Sequence, residues 1–223
     1  MDRSRLAVVI PAFNEAGAIA KVIEGARHFG IVVVVDDAST DATAAVAAAS
    51  GADVVRQSEN GGYDRALDAG ARRAKALGCS VFITMDADGQ HDPELIPIFL
   101  ERMRAGADVV IGARDRFQRF GEWAFALSGR WLWGIRDPMC GMKCYRMDLY
   151  DDLGHFDSYQ SIGTELAIYA ARSGRQLANT PIKIRPRRGA SRFGAGWRAN
   201  KRILRALALG IARTHTNAAS VKP

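Results

Sequence analysis

The 223-residue chain reads as α/β: a single doubly wound domain around a mostly parallel central sheet. Three observations predict this. Apolar runs of strand length alternate with helical stretches, three of those runs stop abruptly at acid-bearing loops, and 48% hydrophobic content at this length supports one full core. Leu6 to Ile10 is the first apolar run, leaving through Pro11-Ala12-Phe13-Asn14-Glu15 into a helical stretch from about Ala16 to His28. Ile31 to Val35 is a continuous β-branched run, as expected of a strand covered on both faces, and it ends in Asp36-Asp37-Ala38-Ser39-Thr40-Asp41. An Ala-rich helix (about Asp41 to Ser50), a short strand (Asp53 to Arg56) and a Gly-rich entry into a helix (about Tyr63 to Leu77) follow.

The run Val81 to Met85 then breaks into Asp86-Ala87-Asp88-Gly89-Gln90-His91-Asp92-Pro93. A buried strand tolerates no unpaired charge, so carboxylates gather where it emerges, and ligands of open α/β sheets bind at those carboxyl ends. Asp86, Asp88 and the amide oxygen of Gln90 are hard donors suited to Mg²⁺ or Mn²⁺, with positions left open for water or substrate phosphates. An acidic turn capping the helix that starts near Asp92-Pro93 would leave the same trace. Asp36 and Asp37 can accept hydrogen bonds from a base or ribose, or Asp36 and Ser39 can cap the following helix. Gly61 and Gly62 permit close backbone approach to a ligand, or an ordinary tight turn.

Charge is divided unevenly. Residues 166–223 carry thirteen Lys and Arg and no Asp or Glu, whereas the first 165 carry eighteen against twenty-four. Such asymmetry implies an anionic partner: a lipid headgroup, a phosphate substrate or nucleic acid. No apolar run approaches twenty residues, and Met1 to Arg5 leads straight into the first strand without signal-peptide character, so a cytoplasmic chain is expected. Cys79, Cys140 and Cys144 form no convincing framework and are expected as reduced thiols in or near the core.

These segments together resemble the GT-A fold glycosyltransferases of family 2, and within them the dolichyl-phosphate mannose synthase-like, polyprenyl-phosphate branch. Val9 to Glu15 looks like the family's opening strand and nucleotide loop, Val35 to Thr43 its second signature, and Asn60-Gly61-Gly62 with Ala66 and Gly70 its third. Met85 to Pro93 is similar to the branch's metal motif, including the Gln. The resemblance implies donor contacts from Pro11, Ala12, Asn14, Glu15, Asp36, Asp37, Gly62, Asp86, Ala87 and Asp88, with Asp37 foremost on the nucleotide. It covers roughly residues 6 to 194, giving a GT-A domain over 1–194 and a basic amphipathic C-terminal helical extension over 195–223.

Arg187-Arg188-Gly189-Ala190-Ser191-Arg192 is similar to the branch's acceptor-phosphate loop, usually Arg-x-x-Gly-x-Ser-Lys, with Arg192 in place of Lys and either Arg187 or Arg188 in the leading position. Guanidinium groups bind phosphate bidentately and Ser191 can donate a hydroxyl hydrogen bond, so the chemistry survives the change. Asp137-Pro138-Met139-Cys140-Gly141-Met142-Lys143 resembles the block bordering the sugar pocket, placing Asp137, Gly141 and Lys143 there, and Glu165 falls where the family sets an acid at a helix start beneath the site. A first-turn Glu also suits any helix N-terminus. Trp197 to Arg213 reads as a basic amphipathic helix whose apolar face can meet a membrane or the domain, and Phe117 to Ile135 concentrates aromatics, including three of the four tryptophans, among Arg116, Arg119 and Arg130.

The expected activity is therefore an inverting transfer from a UDP- or GDP-linked sugar to a polyprenyl phosphate, by a protein peripheral at the inner face of an anionic membrane, with Asp86, Asp88, Gln90, Arg188 and Arg192 as the catalytic set. A phosphate acceptor is already anionic at neutral pH and needs no strong base; a hydroxyl acceptor on the same fold would need a carboxylate such as Glu165 or Asp137. A basic nucleic-acid-binding module leaves Asp37, Asp86 and Asp88 unexplained, so no nucleic-acid partner is expected. NAD chemistry is disfavoured because no Gly-x-Gly-x-x-Gly follows a strand.

Overall fold

The computed structural model describes residues 6–185 and 197–218. In chain order the elements are β1 (Leu6–Ala12), α1 (Ile19–Ala26), β2 (Ile31–Asp36), α2 (Thr43–Ala49), β3 (Asp53–Arg56), α3 (Tyr63–Ala76) and β4 (Val81–Thr84). A 3₁₀ turn (Pro93–Leu95) leads into α4 (Ile96–Arg104), followed by β5 (Val109–Arg114), α5 (Phe120–Trp133), β6 (Lys143–Arg146), α6 (Met147–Leu153), α7 (Glu165–Arg172), β7 (Leu177–Ile182) and α8 (Trp197–Ala218).

The seven strands form one sheet in the order β3-β2-β1-β4-β6-β5-β7. β1 pairs in parallel with β2 and β4, β2 with β3, and β5 with β7, while β6 runs antiparallel between β4 and β5. Chain order reverses between β1 and β4, the point where such sheets open a crevice at their carboxyl ends. The register Ala12↔Asp36 and Val9↔Thr84 brings the acid-bearing loops of β1, β2 and β4 to that edge.

Both faces are covered. On one, Val8, Ile10, Val32 and Val34 pack with α1, α2 and α4; on the other, Val9, Val33 and Val35 pack with α3 and α5 to α8. This explains the unbroken β-branched runs, because alternate side chains enter different cores and each fully buried Val or Ile contributes roughly 1.5–3 kcal/mol. Gly70 lets α3 lie against β1, since a Cβ there would collide with Val9 Cγ1.

α1 starts three residues later than the pattern suggests because Glu15 N donates to Thr43 Oγ1 (2.7 Å) and Ala16 N to Asp41 Oδ2 (3.2 Å), holding residues 15 and 16 against the next loop. Ser39 does not cap α2: its hydroxyl accepts from Asn14 N (2.8 Å), and Asp41 Oδ1 accepts from Thr43 N (2.9 Å) instead. Within α8, Ala199, Ile203 and Ala206 are buried with the core beneath α5 and α7, and Asn200 Oδ1 accepts from Gly121 N (2.9 Å). The apolar face of this helix is thus spent on the domain. No described helix is long and apolar enough to cross a membrane.

Candidate active site

A cleft of about 490 Å³ opens at the β1/β4 reversal. Its first wall comes from the ends of β1, β2 and β4 and contains Pro11, Ala12, Glu15, Asp37, Gly62, Asp86, Ala87, Asp88 and Gln90. Gly141 sits at the seam. Two residues expected on the donor side do other work. Asn14, at φ +53°, uses its Oδ1 to accept from Thr40 N (2.7 Å) and Asp41 N (3.3 Å), locking the β1 loop to the β2 loop. Asp36 is fully buried, accepts from Ser39 N (3.3 Å) and pairs with Arg56 Nε (3.4 Å). Neither lines the cleft. Asp37 does, and its two oxygens accept from Gly61 N (2.7 Å) and Gly62 N (2.8 Å), so it fixes the glycine turn that starts α3.

Asp86 accepts from Tyr63 Oη (3.2 Å), and its amide donates to His91 Nδ1 (3.2 Å). Burial, then the Asp86 carboxylate, push the Tyr63 phenol well up, so it remains a donor. Asp88 Oδ1 accepts from Gln90 N (3.0 Å) around Gly89, and Asp92, rather than Asp86 or Asp88, caps the following 3₁₀ turn. A Cβ on Gly141 would lie 2.6 Å from Asp86 Oδ1 and 2.7 Å from its Cγ, so only glycine leaves that carboxylate uncovered. Among the described residues no three His, Cys, Asp or Glu side chains form a metal shell by themselves. Two carboxylates and an amide beside an open cleft fit an ion that draws its remaining oxygens from water and a diphosphate.

The second wall, from β5, α5 and α8, was not legible as a site: Arg114, Gln118, Arg119, Glu122 and Arg202 line it. Asp137, 1% exposed, is not among the cleft-lining residues; Arg114 takes both its oxygens, Nε to Oδ2 at 2.6 Å and Nη2 to Oδ1 at 3.0 Å. Arg114 Nη1 lies 3.3 Å from Glu122 Oε2, and Arg119 Nη1 donates to Glu122 Oε1 (2.6 Å). One signal for Arg114 was present, since the apolar run Val109 to Ala113 ends in a charge, as the other strands do.

Lys143 and Glu165 are buried outside the cleft. Desolvation lowers the Lys143 ammonium's pKa, and its Nζ donates to Gly163 O (2.7 Å). Glu165 accepts from Ser158 N (2.5 Å), Ser158 Oγ (3.1 Å) and Arg213 Nη1 (2.6 Å), with His155 Nε2 at 3.2 Å. It ties α8 to the 155–164 loop, where Ile162 lines the cleft at φ +61°. Arg187, Arg188, Ser191 and Arg192 lie outside the described residues. The flanking Ile184 and Arg202 both line the cleft, and Arg185 N donates to Gln90 O (2.8 Å). The three cysteines are buried and none is in a disulfide.

A carboxyl-end cleft at a strand-order reversal, with carboxylates on one wall, is where open α/β sheets bind their ligands. Residues 7–154 match Glycosyl transferase family 2. The chain belongs to that family and is a glycosyltransferase. It is 33% identical to a dolichyl-phosphate hexose transferase of Haloferax volcanii, over 90% of this chain and 92% of that one. Against an undecaprenyl-phosphate mannosyltransferase of Micrococcus luteus it is 30% identical, over 86% and 88%. The fold is shared with glucosyl-3-phosphoglycerate synthase from Mycobacterium tuberculosis, solved with Mn²⁺ and UDP-glucose: TM-score 0.74, 23% identity, 92% of this chain and 78% of that one.

Proposed function

We propose that this glycosyltransferase moves a hexose, with inversion, from a UDP- or GDP-linked sugar to a polyprenyl phosphate at the cytoplasmic face of an anionic membrane. The observation that carries the acceptor class is the state of the candidate bases. Asp137 is held by Arg114 on both oxygens, and Glu165 is buried away from the cleft among Ser158, His155 and Arg213. A hydroxyl acceptor needs such a carboxylate to take its proton, whereas a phosphate monoester with second pKa about 6 attacks as an anion. The arginines of the second wall suit that anion, and the named activities of the Haloferax and Micrococcus relatives support the same class.

On the donor side, Asp37 and Gly62 would receive the nucleotide, and Asp86, Asp88 and Gln90 would hold Mg²⁺ or Mn²⁺ beside the diphosphate. A bound divalent ion supplies positive charge against the negative charge that develops on the leaving diphosphate. Tyr63 and His91 orient the Asp86 loop, and Gly141 keeps its face open.

Membrane attachment is supported by the outer face of α5. Phe120, Trp123, Leu127 and Trp131 recur at helical spacing and are 64%, 50%, 45% and 83% exposed, with Trp197 of α8 at 76%. Exposed Arg116, Arg130, Arg198 and Lys201 accompany them, each worth roughly 1 kcal/mol near an anionic leaflet. The test is a panel of nucleotide sugars assayed for nucleotide diphosphate release with a short polyprenyl phosphate and Mn²⁺, alongside co-sedimentation with anionic liposomes at low and high salt. Turnover with one donor, and binding lost at high salt, are expected. Turnover only with a hydroxyl acceptor would overturn the acceptor class, and indifference to anionic liposomes at low salt would overturn the membrane site.

A further inference from the structure

The inward stripe of α5 reads Gly121, Glu122, Phe125, Ala126, Gly129 and Trp133, so one carboxylate sits on an otherwise apolar face, 3% exposed. A charge there costs several kcal/mol unless paired, and well-packed apolar residues in place of a buried ion network are often neutral or stabilising. Stability is therefore a poor reason for Glu122. Its contacts suggest a better one. Oε1 accepts from Arg119 Nη1 at 2.6 Å, while Oε2 lies 3.3 Å from both Arg114 Nη1 and Gln118 N. Arg114 is held on its other edge by Asp137, so its guanidinium plane is fixed along Nε, Nη2 and Nη1 together. Both arginines line the cleft, on the wall across from Asp37 and beside the pocket residues Ile184 and Arg202.

Resting on the acceptor class proposed above, we infer that Glu122 is a positioning residue that holds Arg114 and Arg119 as a fixed pair facing the acceptor phosphate. Two arginines and two carboxylates balance, so the rack contributes orientation rather than net charge. A guanidinium already fixed by carboxylates keeps its remaining N–H groups in place and loses little side-chain freedom when a phosphate arrives. Donor binding, on the other wall, is independent of it.

The experiment compares wild type, Glu122→Gln and Glu122→Asp in transfer to polyprenyl phosphate, with nucleotide affinity measured separately by titration. Gln keeps the shape and removes the charge. Glu122→Gln is expected to raise the acceptor KM about ten-fold, the scale of one charge-assisted hydrogen bond, while nucleotide Kd stays within about two-fold. Glu122→Asp, which keeps the charge on a shorter stem, should recover part of the loss. An unchanged acceptor KM in the Gln variant, or acceptor KM and nucleotide Kd rising in parallel, overturns the positioning role. A wild-type enzyme that ignores polyprenyl phosphate overturns the acceptor class and this role together; a wild type that uses it, with an indifferent Gln variant, overturns the role alone.

Discussion

At the ends of β1, β2 and β4 the cleft wall is made of main chain, glycine and carboxylates, whereas on the β5 side it is made of arginines set in place by buried acids. The first wall is assembled from successive strand-end loops braced by main-chain amides. Asn14, Asp37 and Asp41 are bound by amides of neighbouring loops, and the parallel ladders beneath keep those loops in register. The second is assembled from charged side chains that hold one another: Arg114 meets Glu122 and Asp137, and α8 returns from the far end of the chain to place Arg202 at the rim. On the function proposed above, one wall would receive a ligand through backbone and metal, the other an anion through guanidinium groups of fixed orientation.

Removing a carboxylate from the first wall should break the enzyme outright. Asp88→Ala is expected to lower kcat/KM on the order of 10³-fold with a melting temperature close to wild type, because it deletes an oxygen at the cleft rather than a packed group. Steady-state kinetics beside a thermal melt decides it, and near-normal turnover would move the ion elsewhere. Next comes the seam. Gly141→Ala pushes a methyl into the Asp86 carboxylate and is expected to cost roughly 10- to 100-fold in kcat, with weaker Mn²⁺ dependence, as misplacement of a reacting group does. A full-activity Ala variant would show that Asp86 does not need an open face.

A test of acceptor against donor is Arg188→Ala with Arg192→Ala in the basic motif. Acceptor KM should rise about ten-fold or more while nucleotide affinity holds; equal weakening of both ligands would merge the two walls into one site. The smallest effect concerns Asp64 in the first turn of α3. Burial, then the Asp157 carboxylate, push Asp64 up to about 7, although Gly163 N donates to it (2.5 Å). Its folded pKa lies above the unfolded 3.8, so its contribution to stability is present below about pH 4 and lost as pH rises towards about 7. Asp64→Asn should flatten the melting temperature across that window without changing acceptor KM. A variant whose melting curve tracks wild type at every pH would place the Asp64 pKa near its ordinary value.

The same contrast explains what the sequence disclosed. Strand periodicity and acidic endings located β1 to β4 within a residue or two, and Asp37, Gly62, Asp86, Asp88 and Gln90 came together as their loops suggested. These signals lie within about ninety residues and depend on local pattern. The second wall depends on which charged side chains choose one another. Nothing in residues 114 to 137 says that Arg114 will take both oxygens of Asp137, nor that β6 will run antiparallel between β4 and β5. Asn14 and Asp36 lie off the cleft lining for a related reason: polar residues in a signature loop bind substrate or brace the loop, and their partners here are those of a brace.

The strand order also bears on how the molecule is made. β1 to β4 are complete by Thr84, but β5 gains its edge partner only at residues 177–182, and the core beneath α5 and α7 closes with Ile203 and Ala206 of α8. A chain emerging from the ribosome N-terminus first can therefore close its donor end while the arginine wall still awaits half the sequence, exposing the Phe125 and Trp133 surface of α5 meanwhile. Chaperone dependence and aggregation during synthesis should accordingly track the interval before α8 docks, and substitutions at Ile203 or Ala206 should lower the yield of folded protein.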